Sequence, residues 1–190
     1  MNKIETLNKI IDERRSVFPQ NYTEKSIPKD IIMQILHNAD RAPTHKFTEP
    51  WRFKIIKGEK RQELGKFLAE KYKAITPKHD FNEKKYKKLS ENAGKADTII
   101  LICMKRDPME QIPEWEEIAS VAMAVQNMHL TCTAYDIGAY WSSPGIIKYM
   151  NEFTELEEGE KCLGFFYMGY FNKEQALSKR NPLNEKVKWI

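Results

Sequence analysis

No apolar run in this chain approaches the roughly 20 residues a membrane-spanning helix needs, so no membrane partner is expected. The run Met1-Asn2-Lys3-Ile4-Glu5 lacks the charged-then-apolar layout of a signal peptide, and a cytoplasmic protein is the expectation. Cysteine is scarce: Cys103, Cys132 and Cys162 stand far apart, each inside an apolar stretch. Their spacing is not that of a zinc site, and buried reduced thiols in a reducing compartment account for them. Several chemistries lack their motifs. There is no Gly-x-Ser-x-Gly elbow, no phosphate loop, no His-Glu-x-x-His and no Gly-x-Gly-x-x-Gly fingerprint. Internal repeats and low-complexity linkers are absent too.

What is present reads as one globular domain, residues 1–190. The length supports a substantial core, and 41% hydrophobic with 31% charged residues argues against disorder. A net charge of +4 and a pI near 8.8 raise the question of nucleic acid or an anionic ligand. Most of the excess lysine lies between Lys73 and Lys95, where Tyr86 and Leu89 keep helical spacing and glutamates are interspersed. A nucleic-acid surface would want arginines, stacking aromatics and a known module. These are missing, so a solvated helix is expected and no nucleic-acid partner.

Ile4, Leu7, Ile10 and Ile11 mark the apolar face of a first helix that runs out at Glu13-Arg14-Arg15-Ser16. A second begins near Pro28 and buries Ile31, Ile32, Ile35, Leu36 and Ala39, leaving His37 exposed. Pro43 ends it, because a proline disfavours the helical region for the residue before it. A strand at Phe53–Ile56 and a helix from Glu59 to Tyr72 follow. The continuous apolar run Thr98–Met104 predicts a central strand covered on both faces. A long helix is expected from Glu114 to Ile137, stopped by Gly138. After it come a short strand through Gly138–Gly145, a short helix at Ile146–Asn151 and a last core strand to Tyr170.

Three stretches carry candidate binding groups. Arg14, Arg15 and Ser16 either complement the negative end of the helix dipole or form a cradle of guanidinium forks and a hydroxyl for a phosphate. The turn Arg41–Trp51 gathers hydroxyl, imidazole, carboxylate and ammonium groups between two prolines, either as an ordinary connection or as a binding loop. At Gly138–Gly145, small residues either form a plain strand and turn or let backbone amides approach a ligand.

Together these stretches resemble the nitroreductase-like flavin family. The resemblance rests on Arg14-Arg15-Ser16 closing the first helix, and on Ala42-Pro43 with Pro50-Trp51 around Thr44-His45-Lys46. It rests further on Gly138-x-x-Trp141-x-Ser143, and on Gly164-Phe165-x-Tyr167-x-Gly169. It implies an α+β fold with a central mixed sheet flanked by helices, in an intertwined homodimer that holds FMN. It also implies phosphate contacts from Arg14, Ser16 and Arg180, and ring-edge contacts from Arg15, His45, Trp141, Ser142 and Ser143, with Arg41 a further contact. His45 would act across the dimer interface. The chain departs from the pattern at Phe47 and Glu49, where larger relatives carry amides. It departs again at Phe18 and Ser142, where relatives often carry cations. The activity implied is hydride transfer from NADH or NADPH through the flavin to a small-molecule acceptor such as a nitroaromatic or quinone, with no side chain acting as acid or base. A donor that docks only transiently is compatible with the missing dinucleotide fingerprint. Two other readings stay open: a flavin store or sensor with little turnover, and a basic interaction protein that has lost flavin.

Overall fold

Strand β2 (Thr98–Lys105) is the spine of the molecule, with every residue before Lys105 buried. It belongs to a computed structural model that describes residues 2–172 and 180–190. The sheet order is β1-β2-β4-β3, from β1 (Trp51–Ile56), β4 (Glu160–Tyr170) and β3 (Ile137–Ser142), and all three pairings are antiparallel. The four strands therefore make an antiparallel sheet where the resemblance implied a mixed one, and the parallel bridge between Ser16 and Ala139 lies outside the named strands.

Successive side chains of a strand point to opposite faces, so an all-apolar strand needs cover on both. Ile100, Ile102 and Met104 share a core with α2 (Lys29–Ala39) and α5 (Glu114–Ala134). Ile99, Leu101 and Cys103 share a second core with α3 (Lys60–Ile75) and α4 (Glu83–Lys95). This is how a continuous apolar run, more usual in parallel sheets, serves an antiparallel one. Full burial of side chains such as Leu64, Leu68 and Phe165 is worth about 1.5–3 kcal/mol each.

Helix α1 (Lys3–Glu13) opens with a capping box. Asn2 Oδ1 accepts from Glu5 N at 2.9 Å while Glu5 Oε2 accepts from Asn2 N at 3.0 Å. It packs against α5, yet none of its residues is buried, and Ile4, Leu7 and Ile11 remain about half exposed. The lysine-rich α4 is solvated on its charged face, with Ala93 buried and Tyr86 and Leu89 partly buried against the second core. Tyr72, at the heart of that second core, stacks on Phe81 at 5.5 Å, and its hydroxyl accepts from Asn82 N at 3.0 Å.

The end of α5 differs from expectation. The helix stops at Ala134, and Asp136 takes the left-handed conformation (φ 55°) that a glycine was expected to supply. Gly138 instead lies inside β3, where a Cβ would stand 2.9 Å from Val17 and 3.0 Å from Phe171. Its role is to let the segment after α1 lie close against the strand.

Candidate functional site

Arg14 is the C-cap of α1 and already extended (φ −58°, ψ 122°), so the last turn holds no basic residue. The helix-end account therefore falls to Arg15, whose guanidinium reaches back to the last carbonyls of α1, and not to Arg14. The chain instead runs along the edge of β3: Ser16 bridges Ala139, and Val17 N donates to Ala139 O at 2.9 Å. Two residues further along the same strand stands Trp141, followed by Ser142 and Ser143. Among the described residues the hydroxyls of Ser16, Ser142 and Ser143 make no hydrogen bond within the chain.

Among the described residues, the charges that act on Arg14 here are positive. Partial burial lowers the pKa of Arg14, and the guanidiniums of Arg15 and Arg180 lower it further. Those three arginines, remote in sequence, therefore share one neighbourhood. His129, facing it from α5, is pushed down to about 4 by burial and by the charge of Arg14. Its Nδ1 is buried without a partner among the described residues, while its ring meets Phe166 edge-on at 4.7 Å. Trp141 Nε1 is likewise buried and unpartnered, and the indole lies where a Cβ on Gly164 would collide with it. Arg15 is engaged differently: its Nη1 donates to Arg14 O at 2.8 Å and to the carbonyl of Asp12, closing the end of α1.

Arg41 and His45 lie elsewhere. Arg41 pairs with Asp40, which also accepts from Trp51 Nε1 at 3.1 Å; the bonds from Arg41 and then Trp51 hold the Asp40 carboxyl below its usual range. His45 Nδ1 lies 2.6 Å from Glu116 Oε2, at the start of α5. The turn that carries His45 is bent by Lys46, Phe47 and Glu49, all in the left-handed region (φ 54°, 55° and 40°). For residues with a Cβ that is costly. Thr44 Oγ1 steadies the bend by accepting from Glu49 N at 3.1 Å. An open hollow of about 360 Å³ adjoins it, bordered by His45, Trp115, Glu116 and Met123. Glu116 is separated from His129 by thirteen residues of one helix, on the order of 20 Å. Within one chain, then, the structure brings Arg14, Arg15, Ser16, Trp141, Ser142, Ser143 and Arg180 to one region and leaves Arg41 and His45 in another.

Sequence reasoning missed Glu116 and the orphaned His129 nitrogen. Nothing local signals either, since the partner of Glu116 lies 71 residues away.

A model of one protein family, described as the nitroreductase family, matches residues 11–170. The chain belongs to the nitroreductase family. The match opens just before Arg14 and closes at the end of β4, so Arg180 lies beyond it. The chain is 27% identical over 184 residues to YfhC of Bacillus subtilis, provisionally named an NAD(P)H nitroreductase, spanning 95% of this chain and 92% of that one. A nitroreductase-like family protein from Bacillus cereus superposes with a TM-score of 0.82 at 30% identity, covering 100% of this chain and 98% of that one. The FMN-dependent nitroreductase NfnB of Mycobacterium smegmatis, solved with NADPH, shares the fold at a TM-score of 0.81 and 15% identity, with both chains covered in full. The nitroreductase fold thus extends over the whole chain, with both groups of candidate residues inside it.

Proposed function

We propose that this chain is an FMN-dependent oxidoreductase that takes a hydride from NADH or NADPH and delivers it to a small acceptor such as a nitroaromatic or quinone. The observation that carries the reading is the convergence of Arg14, Arg15 and Arg180 beside the Ser16–Ala139 bridge. Cations that repel one another in a partly dry site fit a dianionic phosphate, and the indole and serines along β3 fit the edge of a planar ring system. When bound, the flavin supplies the hydride chemistry, and the protein orients and tunes it. Family membership and the names of the relatives support the same choice of cofactor and donor.

In this reading Arg14, Ser16 and Arg180 anchor the phosphate. Arg15 closes α1 beneath it, and Trp141, Ser142 and Ser143 contact the ring edge. Phe18 offers no charge to a reduced flavin. The ammonium of Lys88, 5.9 Å from the Phe18 ring, is the replacement we assign. His45, with Arg41 beside its turn, completes the site from a second copy of the chain, because one α5 keeps it far from Arg14. A homodimer also covers the exposed Ile4, Leu7 and Ile11 of α1 and Trp115 of α5. The flavin-binding unit is the whole of residues 1–190. The buried thiols suit a cytoplasmic setting, and no described helix is long and apolar enough to cross a membrane.

The test is steady-state oxidation of NADH and NADPH by protein reconstituted with FMN, using menadione and nitrofurazone as acceptors. Acceptor-dependent turnover is expected. A flavin that is bound but not turned over by either donor would instead make this protein a flavin store.

A further inference from the structure

Two of the three cysteines lie outside everything used so far. Cys103 on β2 and Cys162 on β4 are directly opposite one another in the antiparallel register, at the bulge where that pairing shifts. Cross-strand partners project to the same face of a sheet, and both belong to the core shared with α3 and α4. The candidate flavin site lies over the other core, with His129 against Phe166 and Trp141 packed on the same cluster. Opposed residues of an antiparallel pair have Cα atoms about 4.5–5.5 Å apart, inside the span a disulfide bridges. The Cys162 thiol donates to Gly164 O at 3.6 Å and interacts with the Cys103 thiol opposite. Contact with Cys162 and burial push Cys103 up, while the hydrogen bond from Cys103 brings Cys162 down. The Glu160 carboxylate and the Lys54 ammonium, 2.9 Å apart, flank the pair. Cys132 has no such neighbour: it lies in the opposite core, and its sulphur meets that of Met168.

We propose that Cys103 and Cys162 form a peroxide-reactive dithiol that closes into a disulfide between β2 and β4. Cys162, 6% exposed against 0% for Cys103, is the thiol that a small hydroperoxide reaches first. Its thiolate attacks one peroxide oxygen, the O–O bond breaks, and the other oxygen leaves with a proton as water or an alcohol. Cys162 is then a sulfenic acid. The Cys103 sulphur attacks it, the S–O bond breaks, and hydroxide leaves with the Cys103 proton as water. In sum two thiols lose two electrons and two protons, and the hydroperoxide is reduced by the same two electrons. The inference does not depend on flavin.

The experiment treats the folded full-length protein with hydrogen peroxide, quenches it, denatures it and counts thiols, with intact mass in parallel. Wild type should fall from three thiols to one and return to three with dithiothreitol. Cys132→Ser should fall from two to none. Cys103→Ser should form no disulfide and gain oxygen at Cys162, and Cys162→Ser should keep both remaining thiols. A wild type that retains three thiols would overturn the proposal. So would loss of thiols through Cys132 cross-linking two chains, or a Cys103→Ser protein that loses both of its thiols to an intramolecular disulfide without gaining oxygen.

Discussion

His129 shows what burial does to a single ionisable side chain. Folding holds its imidazole neutral, with a pKa of about 4 against about 6.5 in an unfolded chain. Above pH 6.5 both states are neutral and the contribution to stability is complete. As pH falls from 6.5 to 4 the unfolded chain binds its proton first, and stability drops by about 3 kcal/mol in total. Urea midpoints at pH 7.5 and 4.5 should therefore lie closer together in His129→Leu than in wild type. An equal drop in both would remove the histidine from the account. The sequence around it gives no warning of this, because nothing in Met128-His129-Leu130 reveals that Arg14 arrives from the end of another helix. Arg14, Arg15 and Ser16 stand out differently: guanidinium and hydroxyl groups directly after an apolar stripe are a weak local pattern, and it was the family resemblance that gave them a phosphate to hold.

At the scale of elements, periodicity located most helices and strands to within a few residues, and its failures have local causes. The long helix was expected to reach Ile137, but Asp136 tolerates the left-handed turn and ends it earlier. Gly138 was then available for a different task, the close approach of Val17. Helix α1 was read correctly as amphipathic, yet its stripe is not covered by its own chain. Leu7 and Ile11 are each 47% exposed, so replacing both with serine gives up about half of a full side-chain burial at each in the monomer. In a homodimer that hides them, each loses on the order of 1 kcal/mol per copy. Leu7→Ser with Ile11→Ser should leave the far-ultraviolet circular dichroism of the protein unchanged and raise the dimer dissociation constant at least tenfold by sedimentation. A double variant that dimerises as wild type does would put the interface on another face.

At the scale of the molecule, the strand order β1-β2-β4-β3 was not legible, because β2 and β4 pair across dozens of intervening residues and no local signal encodes that choice. The resemblance to the nitroreductase family carried the α+β class instead. The structure adds what neither could: a single chain draws together Arg14, Arg180 and the β3 edge but holds His45 against Glu116, a helix length away. The most direct measurement is a titration of the purified protein with FMN, followed by absorbance and equilibrium dialysis. Saturation at one FMN per chain is predicted, with occupancy falling at least tenfold in the Arg14→Ala, Arg180→Ala double variant, since each lost charged contact is worth about 1.5–3 kcal/mol. A colourless protein that refuses FMN, or a double variant that binds it as tightly as wild type, would contradict the account.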